Sequence, residues 1–475
     1  MLNLPVTSPQ LGPYSESIDY QLMRDRWELP YDLYGGTLTM RTRNKKWLPQ
    51  EMRESDEAYK NRLNRTFLYN AFKRTIKAYV GVAFLKNVTV NGLPEELQYL
   101  ITNCDGTGRS LTAFTADLTE DMLISGKGHI FVDNPVITGP ITLQEARQRN
   151  IRPYFNKIDP RDLFAWRTEY DGTKENLTEI RWKERAVEEY DEWSETEVLR
   201  IRVVRQDSWK TFVYRASEAS VEYQPEDEGA FDFGEIPLVT IYAKKEAPLV
   251  AYPPLEDLAW LNLRHWQSSS DQNNILHVVR VPLLFGKGFQ EGELDGLEIG
   301  ANRAVTTTND AADMKYIEHT GQAINAGRTD LKDLEQRMGQ MGSDILLQRS
   351  VSRQTAAARK IDQAESMSIF QVILRNTEAA LEQAIRLAGK WQGIDVSDDL
   401  HVTIGDDLSV PGSESNIIEN LNRMRDKGVL TNEEFFAEMV RRGSFSDTVE
   451  NKGEGEILTD VEMKGQEAPR ETDEN

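Results

Sequence analysis

Five stretches of the chain repeat apolar residues at the three- to four-residue spacing of an α-helix. Residues 55–80 contain neither glycine nor proline and open with an acidic turn, so they are predicted to form one continuous helix. A second helix is predicted from Ser110, a candidate N-cap, to Gly126. The others cover 254–279, 327–342 and 355 to about 390, and the last would be about 50 Å long. A helix of that length is typical of an elongated assembly rather than of a compact domain.

The segment 254–279 has a weak point as a helix. Its middle, SSSDQNN at 268–274, is a run of polar residues that compete locally for backbone hydrogen bonds. Two interpretations stay open. Either one helix continues through the run and its small polar side chains bond to neighbouring helices in a ring, or a loop divides two shorter helices.

Strand patterns occupy much of the remaining chain. HIFVD at 129–133 is predicted as a short strand, and residues 151–245 are rich in β-branched and aromatic residues between turn signals. Short strands are also predicted within 281–324 and at 401–408. The chain then ends with two short predicted helices and an acidic tail. This order of elements indicates an α+β fold rather than repeating βαβ units.

Charge is distributed unevenly along the 475 residues, whose formal net charge is −22. Residues 1–86 hold 14 Lys and Arg against 9 Asp and Glu, whereas 444–475 hold ten acids against three bases. The tail is predicted to be disordered, because it cannot bury enough apolar surface. Two interpretations are open for the basic residues of the helix predicted at 55–80: they form either a DNA-facing surface or a solvated or subunit-facing one. These residues include Arg62, Arg65, Lys73 and Arg74.

Sequence signals of chemistry are sparse. There is no P-loop, the two GKG triplets read as turns, and the five histidines show no metal-binding spacing. Cys104 is the only cysteine, so no intrachain disulfide forms, and it carries no nucleophile signature. We expect neither an enzyme nor a cofactor or metal. With no signal peptide or long apolar run, we expect a protein that is neither secreted nor membrane-spanning.

The order of segments resembles that of tailed-bacteriophage portal proteins over most of residues 20–443. The segments that carry the resemblance are YDLYGGTLTMR, EAYKNRLNRTFLYNAFKRTIKAYVGVAF, SGKGHIFVDNP, RPYFNKIDPRDLFAWR, EIPLVTIYA, LEDLAWLNLRHWQSSSDQNN, PLLFGKG, TAAARKIDQAES, HVTIGDDL and RDKGVLTNEEFFAEMVRRG. No single motif is specific, and the resemblance rests on the order of many weak ones.

The resemblance implies an elongated subunit of a ring, usually of twelve copies, at one vertex of a capsid assembled in the bacterial host cytoplasm. Double-stranded DNA would pass through the ring. Its implied protein partners are the terminase large subunit, head completion or adaptor proteins, and the major capsid and scaffolding proteins. The implied divisions are an N-terminal region and α/β wing at 1–254, stem helices at 255–280 and 325–341, a clip at 281–324, a tunnel loop at 342–354, the long wing helix with wing completion at 355–410, a helical crown at 411–443 and the acidic tail at 444–475.

Two of these divisions contain candidate contact residues. The tunnel loop carries two arginines against one aspartate, and the candidates that would face DNA are Gln348, Arg349, Ser350, Ser352 and Arg353. Pairing of Arg349 and Arg353 with neighbouring acids is an equal alternative. The clip carries seven acids against three bases, which would repel DNA and attract basic partners. Its candidate docking residues are Glu291, Glu293, Asp295 and Glu298.

Two other function classes remain open on the sequence. One is a different structural virion protein, such as a minor capsid or connector component. The other is an acidic-site hydrolase, suggested only by the many acids and nine tryptophans.

Overall fold

The chain divides into two units, Met1–Ile404 and Gly405–Asn475. The computed structural model describes residues 12–135, 145, 151–191, 193–216, 221–231, 233–279, 283–288, 311–317, 322–342, 356–405, 425 and 431. Three residues of the second unit, 405, 425 and 431, fall within these ranges. The predicted helices at 411–443 and the acidic tail therefore lie outside the described part, and the elements given below all belong to the first unit.

Four helices form the N-terminal part of this unit: α1 Ile18–Gly35, α2 Thr37–Arg43, α3 Asp56–Arg65 and α4 Ala71–Ala83. Serine caps begin two of them. Ser17 Oγ accepts from the Tyr20 N–H at 3.3 Å, and Ser55 Oγ accepts from the Ala58 N–H at 3.2 Å. The sequence pattern does not predict α1, whose polar and apolar residues are poorly segregated and which contains Pro30.

The prediction of one helix over 55–80 is wrong. The chain leaves the helical path between Arg65 and Ala71, and Asn70 caps α4 by accepting from the Lys73 N–H at 2.9 Å. Phe67, predicted to continue the buried stripe of Tyr59 and Leu63, is 65% exposed. Hydrogen bonds from another helix hold this break.

A three-stranded antiparallel sheet lies at the centre of the unit. Its middle strand is β2 Lys127–Asp133, flanked by β3 Tyr154–Ile158 and β9 Leu238–Tyr242. β2 is buried along its whole length, because helices α6 Leu111–Ser125 and α9 Ala356–Gln392 pack against the sheet. The strand at 129–133, the helix from Ser110 to Gly126 and the long C-terminal helix are thus confirmed. α9, with 37 residues, is about 55 Å long.

A five-stranded antiparallel meander follows β3. Its strands, in spatial order, are β4 Leu163–Tyr170, β5 Glu175–Asp191, β6 Ser194–Arg205, β7 Ser208–Ala216 and β8 Val221–Ala230. One apolar cluster joins the meander to α1 through Trp27, Phe164 and Ile201. A second joins it to β2 through Phe131 and Trp182. The β-rich region predicted at 151–245 is confirmed.

A smaller two-stranded sheet pairs distant parts of the chain, β1 Thr89–Asn91 and β12 His401–Thr403. Of the strand predicted at 401–408, only the first three residues form a strand among the residues that the structure describes. Short helical turns at Asn44–Lys46 and Glu95–Leu97 and helix α5 Tyr99–Thr102 complete the connections.

Two helices and two strands form the remaining element of the unit. They are α7 Glu256–Val279, β10 Leu283–Lys287, β11 Asp313–Ile317 and α8 Gln322–Met341. α7 continues through its polar middle, so the alternative of a dividing loop is wrong. α8 begins five residues earlier than the predicted helix at 327–342. The resulting fold class is α+β, as predicted.

Candidate assembly site: the helical pair α7 and α8

Polar side chains fasten α7 to α8. Ser268 Oγ donates to Asp330 Oδ2 at 2.7 Å, and one turn further along α7, Gln272 Nε2 donates to the Ile324 carbonyl at 3.0 Å. Partner numbers fall on α8 as they rise on α7, so the two helices run antiparallel. At 1.5 Å per residue, α7 is about 36 Å long and α8 about 30 Å.

A glycine permits close approach in this seam. A Cβ at Gly327 would lie 2.0 Å from Gln272 Oε1, whereas glycine leaves room for the Gln272 amide to reach the Ile324 carbonyl. Two residues of the predicted apolar side of α8, Leu334 and Met338, are buried. Close contact through a glycine and polar side chains is thus shown near the start of α8, while apolar residues further along the helix are buried.

Asn262 of α7 connects the helical pair to the break between α3 and α4. Its side chain is fully buried. Its Oδ1 accepts from the Phe72 N–H at 3.0 Å, and its Nδ2 donates to the Tyr69 carbonyl at 2.9 Å. These are backbone groups left without helical partners where α4 begins. One amide side chain thus satisfies both a donor and an acceptor of the irregular segment.

Ser270, in the polar middle of α7, makes a second connection. The Thr66 hydroxyl lies 2.9 Å from its Oγ, and Arg62 Nη1 donates to it at 3.4 Å. Arg62 is buried and forms two 2.8 Å hydrogen bonds with the Glu54 carboxylate. The guanidinium lowers the pKa of Glu54, chiefly through these bonds. Arg62 is therefore paired inside the subunit, and its interpretation as a DNA-facing residue is wrong.

An antiparallel strand pair lies at the linked end of the helical pair. β10 starts four residues after α7 ends, β11 stops five residues before α8 begins, and Leu283 pairs with Ile317. Residues 289–310 connect the far ends of the two strands. The described elements thus follow one another along the chain in the order helix, strand, strand and helix.

One face of α7 is exposed over most of its length. Trp260, Arg264, Asp271 and Ile275 repeat at helical spacing, and Trp260 and Ile275 are 52% and 38% exposed. The charge of the pair is low: α8 carries three bases and three acids, and α7 one base and three acids. Such a surface does not attract polyanions strongly.

His265 lies inside the seam. Its ring packs 5.3 Å from that of Tyr69, and its Nε2 is 3.5 Å from a Glu335 oxygen. Burial lowers the pKa of His265, and the nearby Glu335 carboxylate opposes this shift. A sequence pattern gives no sign of this role, because a lone histidine on a helix carries no spacing signal.

All of the candidate contact residues predicted from the sequence lie outside the described residues. These are Gln348, Arg349, Ser350, Ser352 and Arg353 of the predicted tunnel loop, and Glu291, Glu293, Asp295 and Glu298 of the predicted clip. The structure instead brings Asn262, Ser270 and Gly327 into the contacts of the helical pair. Of these, Ser270 belongs to the unusual run of polar residues at 268–274, whereas Asn262 and Gly327 lie outside it and have no sequence signal.

Other buried polar groups of the unit are structural in their geometry. Lys127 Nζ donates to the Leu249 carbonyl at 2.6 Å and lies 5.0 and 5.1 Å from the ring centroids of Trp27 and Trp166. Burial lowers the pKa of Lys127 to about 7, while the two rings favour the charged form. Cys104 is buried, and burial raises the pKa of its thiol to about 12.

A cleft of about 510 Å³ opens between the end of β2 and the meander. The charged residues that line it form ion pairs with one another. Arg202 Nη1 lies 2.9 Å from Asp133 Oδ2 and 3.6 Å from Glu184 Oε1, and Arg200 Nη2 lies 2.6 Å from Glu226 Oε1. Within the ranges that the structure describes, no group of three or more His, Cys, Asp or Glu is arranged to hold a metal. None of the helices in those ranges is long and apolar enough to cross a membrane.

Comparison with known proteins gives three kinds of result. The model of a domain of unknown function, DUF4055, matches residues 254–392, which contain the helical pair and α9. No curated protein sequence matches the chain. Among the solved structures that match are the virion of a native gene transfer agent particle and the necks of its empty and native particles, computed with C6 and C12 symmetry respectively.

These structural matches cover 78% of this chain and 89% of the matched chains, at 12%, 11% and 11% identity and TM-scores of 0.44, 0.43 and 0.44 respectively. Likeness of this degree does not assign a function, which must come from the contacts of the chain itself.

Proposed function

We propose that the chain is a structural virion protein, the subunit of a portal ring at one capsid vertex, through which double-stranded DNA enters and leaves. The observation that carries this proposal is the antiparallel helical pair α7 and α8, in which α7 bonds to the α3–α4 region from Asn262 to Asn274 and the pair leads into the strand pair β10–β11. Copies of such a helical pair, set side by side, would form the wall of a channel.

The exposed face of α7 supports assembly through this pair. A half-exposed Trp260 and a partly exposed Ile275 on one helical stripe are typical of a surface that neighbouring copies cover. Because each copy would use one face against a different face of the next, the contact is heterologous, and it closes into a ring when the rotation between neighbouring copies divides a full turn.

The low charge of the helical pair supports passage of DNA rather than tight binding. Each phosphate that a lysine or arginine neutralises adds salt-dependent affinity, and a ring repeats every such contact. With equal numbers of acids and bases on α8, the wall would guide DNA without holding it. In this arrangement 281–324 would be the clip that docks terminase and later the head completion proteins, and Arg349 and Arg353 would belong to a tunnel loop.

The native mass of the purified full-length chain, with electron-microscopic class averages of the same sample, tests the proposal. We expect a closed ring of about twelve copies with a continuous axial channel. A chain that stays monomeric at every salt and protein concentration would contradict the proposal. A particle without an axial channel would instead favour another structural component, such as a minor capsid protein.

A substitution on α7 tests whether the helical pair forms the contact. Ile275→Glu places a charge on the exposed stripe, so we expect it to abolish the ring while the subunit unfolds at the same urea concentration as the wild type. Lys174→Glu, on the exposed turn between β4 and β5, is the matched control and should assemble normally. A ring that forms equally well with Ile275→Glu would exclude this face of α7 from the subunit contact.

A further inference from the structure

The hairpin of β5 and β6 extends beyond the rest of the meander. β4 pairs with β5 only as far as Trp182, and β7 pairs with β6 only from Arg200 onward, whereas β5 and β6 pair with each other as far as Asp191 and Ser194. Residues 186–199, named here the β5–β6 tip, therefore pair only with each other among the strands that the structure describes. A lone two-stranded hairpin is marginally stable in water, so a partner surface would stabilise it.

The β5–β6 tip combines acidic and exposed apolar residues. Its sequence, AVEEYDEWSETEVL, contains six acids and no base. Trp193, at the turn, is 88% exposed, and Val187 is 62% exposed. An exposed tryptophan within an excess of negative charge is suited to a basic surface that also offers apolar contact, because the indole ring attracts cations and buries apolar area.

Helix α4 and its flanks offer the complementary chemistry. Residues 66–86 contain four bases and no acid. Arg74, Lys77, Gly81 and Leu85 lie at helical spacing on one exposed face, where Leu85 is 75% exposed and Gly81 faces open space. Lys77 is paired with Glu120 within the subunit, whereas Arg74 has no ion-pair partner among the described residues. We name this stripe the α4 face.

We propose that the β5–β6 tip of one copy docks on the α4 face of a neighbouring copy, which makes it a second contact between subunits. The inference rests on the proposed ring. Within a single copy, Trp193 and Leu85 both remain exposed, so the described part of the chain leaves both surfaces open. Each copy carries both surfaces, and a contact between two different surfaces of identical copies propagates around a ring until it closes. Opposite charges orient the tip, and Trp193 supplies the buried area.

Cysteine labelling of the assembled full-length protein tests this contact. The native chain has one cysteine, Cys104, which is buried, so an introduced cysteine is the accessible thiol. Thr196→Cys places it on the exposed side of the tip and keeps Trp193, while Lys174→Cys at the opposite end of β5 is the matched control. We expect the thiol at position 196 to react at least tenfold more slowly in the ring than in dissociated subunits, and the thiol at 174 to react equally in both.

A charge exchange identifies the partner surface. We expect Glu195→Lys and Arg74→Glu each to reduce the assembled fraction at least fivefold, because the ring repeats the mismatch at every contact. The double variant should restore most of the assembled fraction. Glu169→Lys, at the opposite end of the meander, should have no effect. Equal urea unfolding of the dissociated variants excludes a folding defect.

The outcomes separate this contact from the ring itself. A ring in which position 196 labels as fast as in free subunits overturns the contact and leaves the portal proposal intact. Protection without rescue in the double variant overturns the α4 face as the partner. A wild-type chain that never assembles overturns the ring and the contact together.

Discussion

In two segments of this protein, the observed secondary structure is the opposite of what the sequence pattern predicts. Residues 55–80 have the composition of a continuous helix, yet α3 ends at Arg65 and α4 starts at Ala71. Residues 254–279 contain seven successive polar residues, yet α7 is unbroken. The two segments contact each other, and the same hydrogen bonds account for both departures.

Asn262 and Ser270 are the residues of α7 that form these hydrogen bonds. Asn262 of α7 bonds the backbone of the irregular segment at Tyr69 and Phe72, and Ser270 lies within hydrogen-bond distance of Thr66 and Arg62. Small polar side chains weaken an isolated helix, because they compete for its backbone. When they bond to another segment instead, they stabilise both. The polar run of α7 therefore serves contacts within one subunit before any contact between subunits.

Arg62→Met should have the largest effect on this arrangement. Arg62 is buried and holds Glu54 through two 2.8 Å hydrogen bonds. Its removal leaves a largely buried carboxylate unpaired, and we expect the free energy of unfolding to fall by about 3 to 5 kcal/mol. Urea unfolding of the full-length chain measures this.

Arg65→Met is the control for Arg62→Met. Arg65 lies on the same helix and makes one exposed 3.3 Å contact, to Asn274, so its loss should cost less than about 0.5 kcal/mol. Equal losses for the two variants would show that the connection between α3 and α7 does not depend on the buried ion pair.

Asn262→Leu should have the next largest effect. The leucine fills a similar volume but removes the acceptor of the Phe72 N–H, whereas the Tyr69 carbonyl keeps its hydrogen bond from the Ala71 N–H at 3.0 Å. An orphaned buried polar group costs about 1 to 3 kcal/mol, so we expect a loss of about 1 to 3 kcal/mol in urea unfolding.

Asn273→Leu provides the comparison for that substitution, since Asn273 lies on α7 and is exposed. We expect a change within about 0.5 kcal/mol. If Asn262→Leu were equally mild, the break between α3 and α4 would be intrinsic to its own sequence, and α7 would have no part in it.

These residues also mark what the sequence can predict. Periodicity suffices for α6, α9 and the strands around β2, because their apolar faces meet the core directly. Local caps such as Ser110 can also be predicted, because the two groups that bond are only three residues apart in the sequence. The segment at 66–70 and the start of α4 are bonded by Asn262, about 190 positions away, and the first turn of α8 is bonded by Gln272 through the Ile324 carbonyl. Local patterns contain no information about such partners, and the contact residues proposed for the tunnel loop and clip remain predictions.

Gly327→Ala should have a smaller effect on the free energy of unfolding, and the sign of that effect should depend on Gln272. The added Cβ would meet the end of the Gln272 side chain and displace its hydrogen bond to Ile324, at a cost of about 1 kcal/mol. In a Gln272→Ala background that obstacle is absent, and alanine should stabilise α8 by up to about 1 kcal/mol over glycine. A four-variant cycle by urea unfolding checks this. The same sign in both backgrounds would mean that the close approach of α7 and α8 is not limited by Gln272.

His265 gives the smallest expected effect, a pH dependence within the helical pair. Burial lowers the pKa of His265 below its ordinary value of 6.5, against the opposing influence of Glu335 and Asp330. As pH falls below about 6.5, the unfolded chain takes up the proton first, so this group's contribution to stability is present above that pH and is lost below it. His265→Phe keeps a ring against Tyr69 and removes the titration. We therefore expect the wild type to lose urea stability relative to His265→Phe between pH 7.5 and 5.5, with His277→Phe, an exposed site on the same helix, as the control. If the difference in the free energy of unfolding between the wild type and His265→Phe were the same at both pH values, the seam would accept the charged ring without cost. The contacts joining α7 to the α3–α4 break would then not be sensitive to pH.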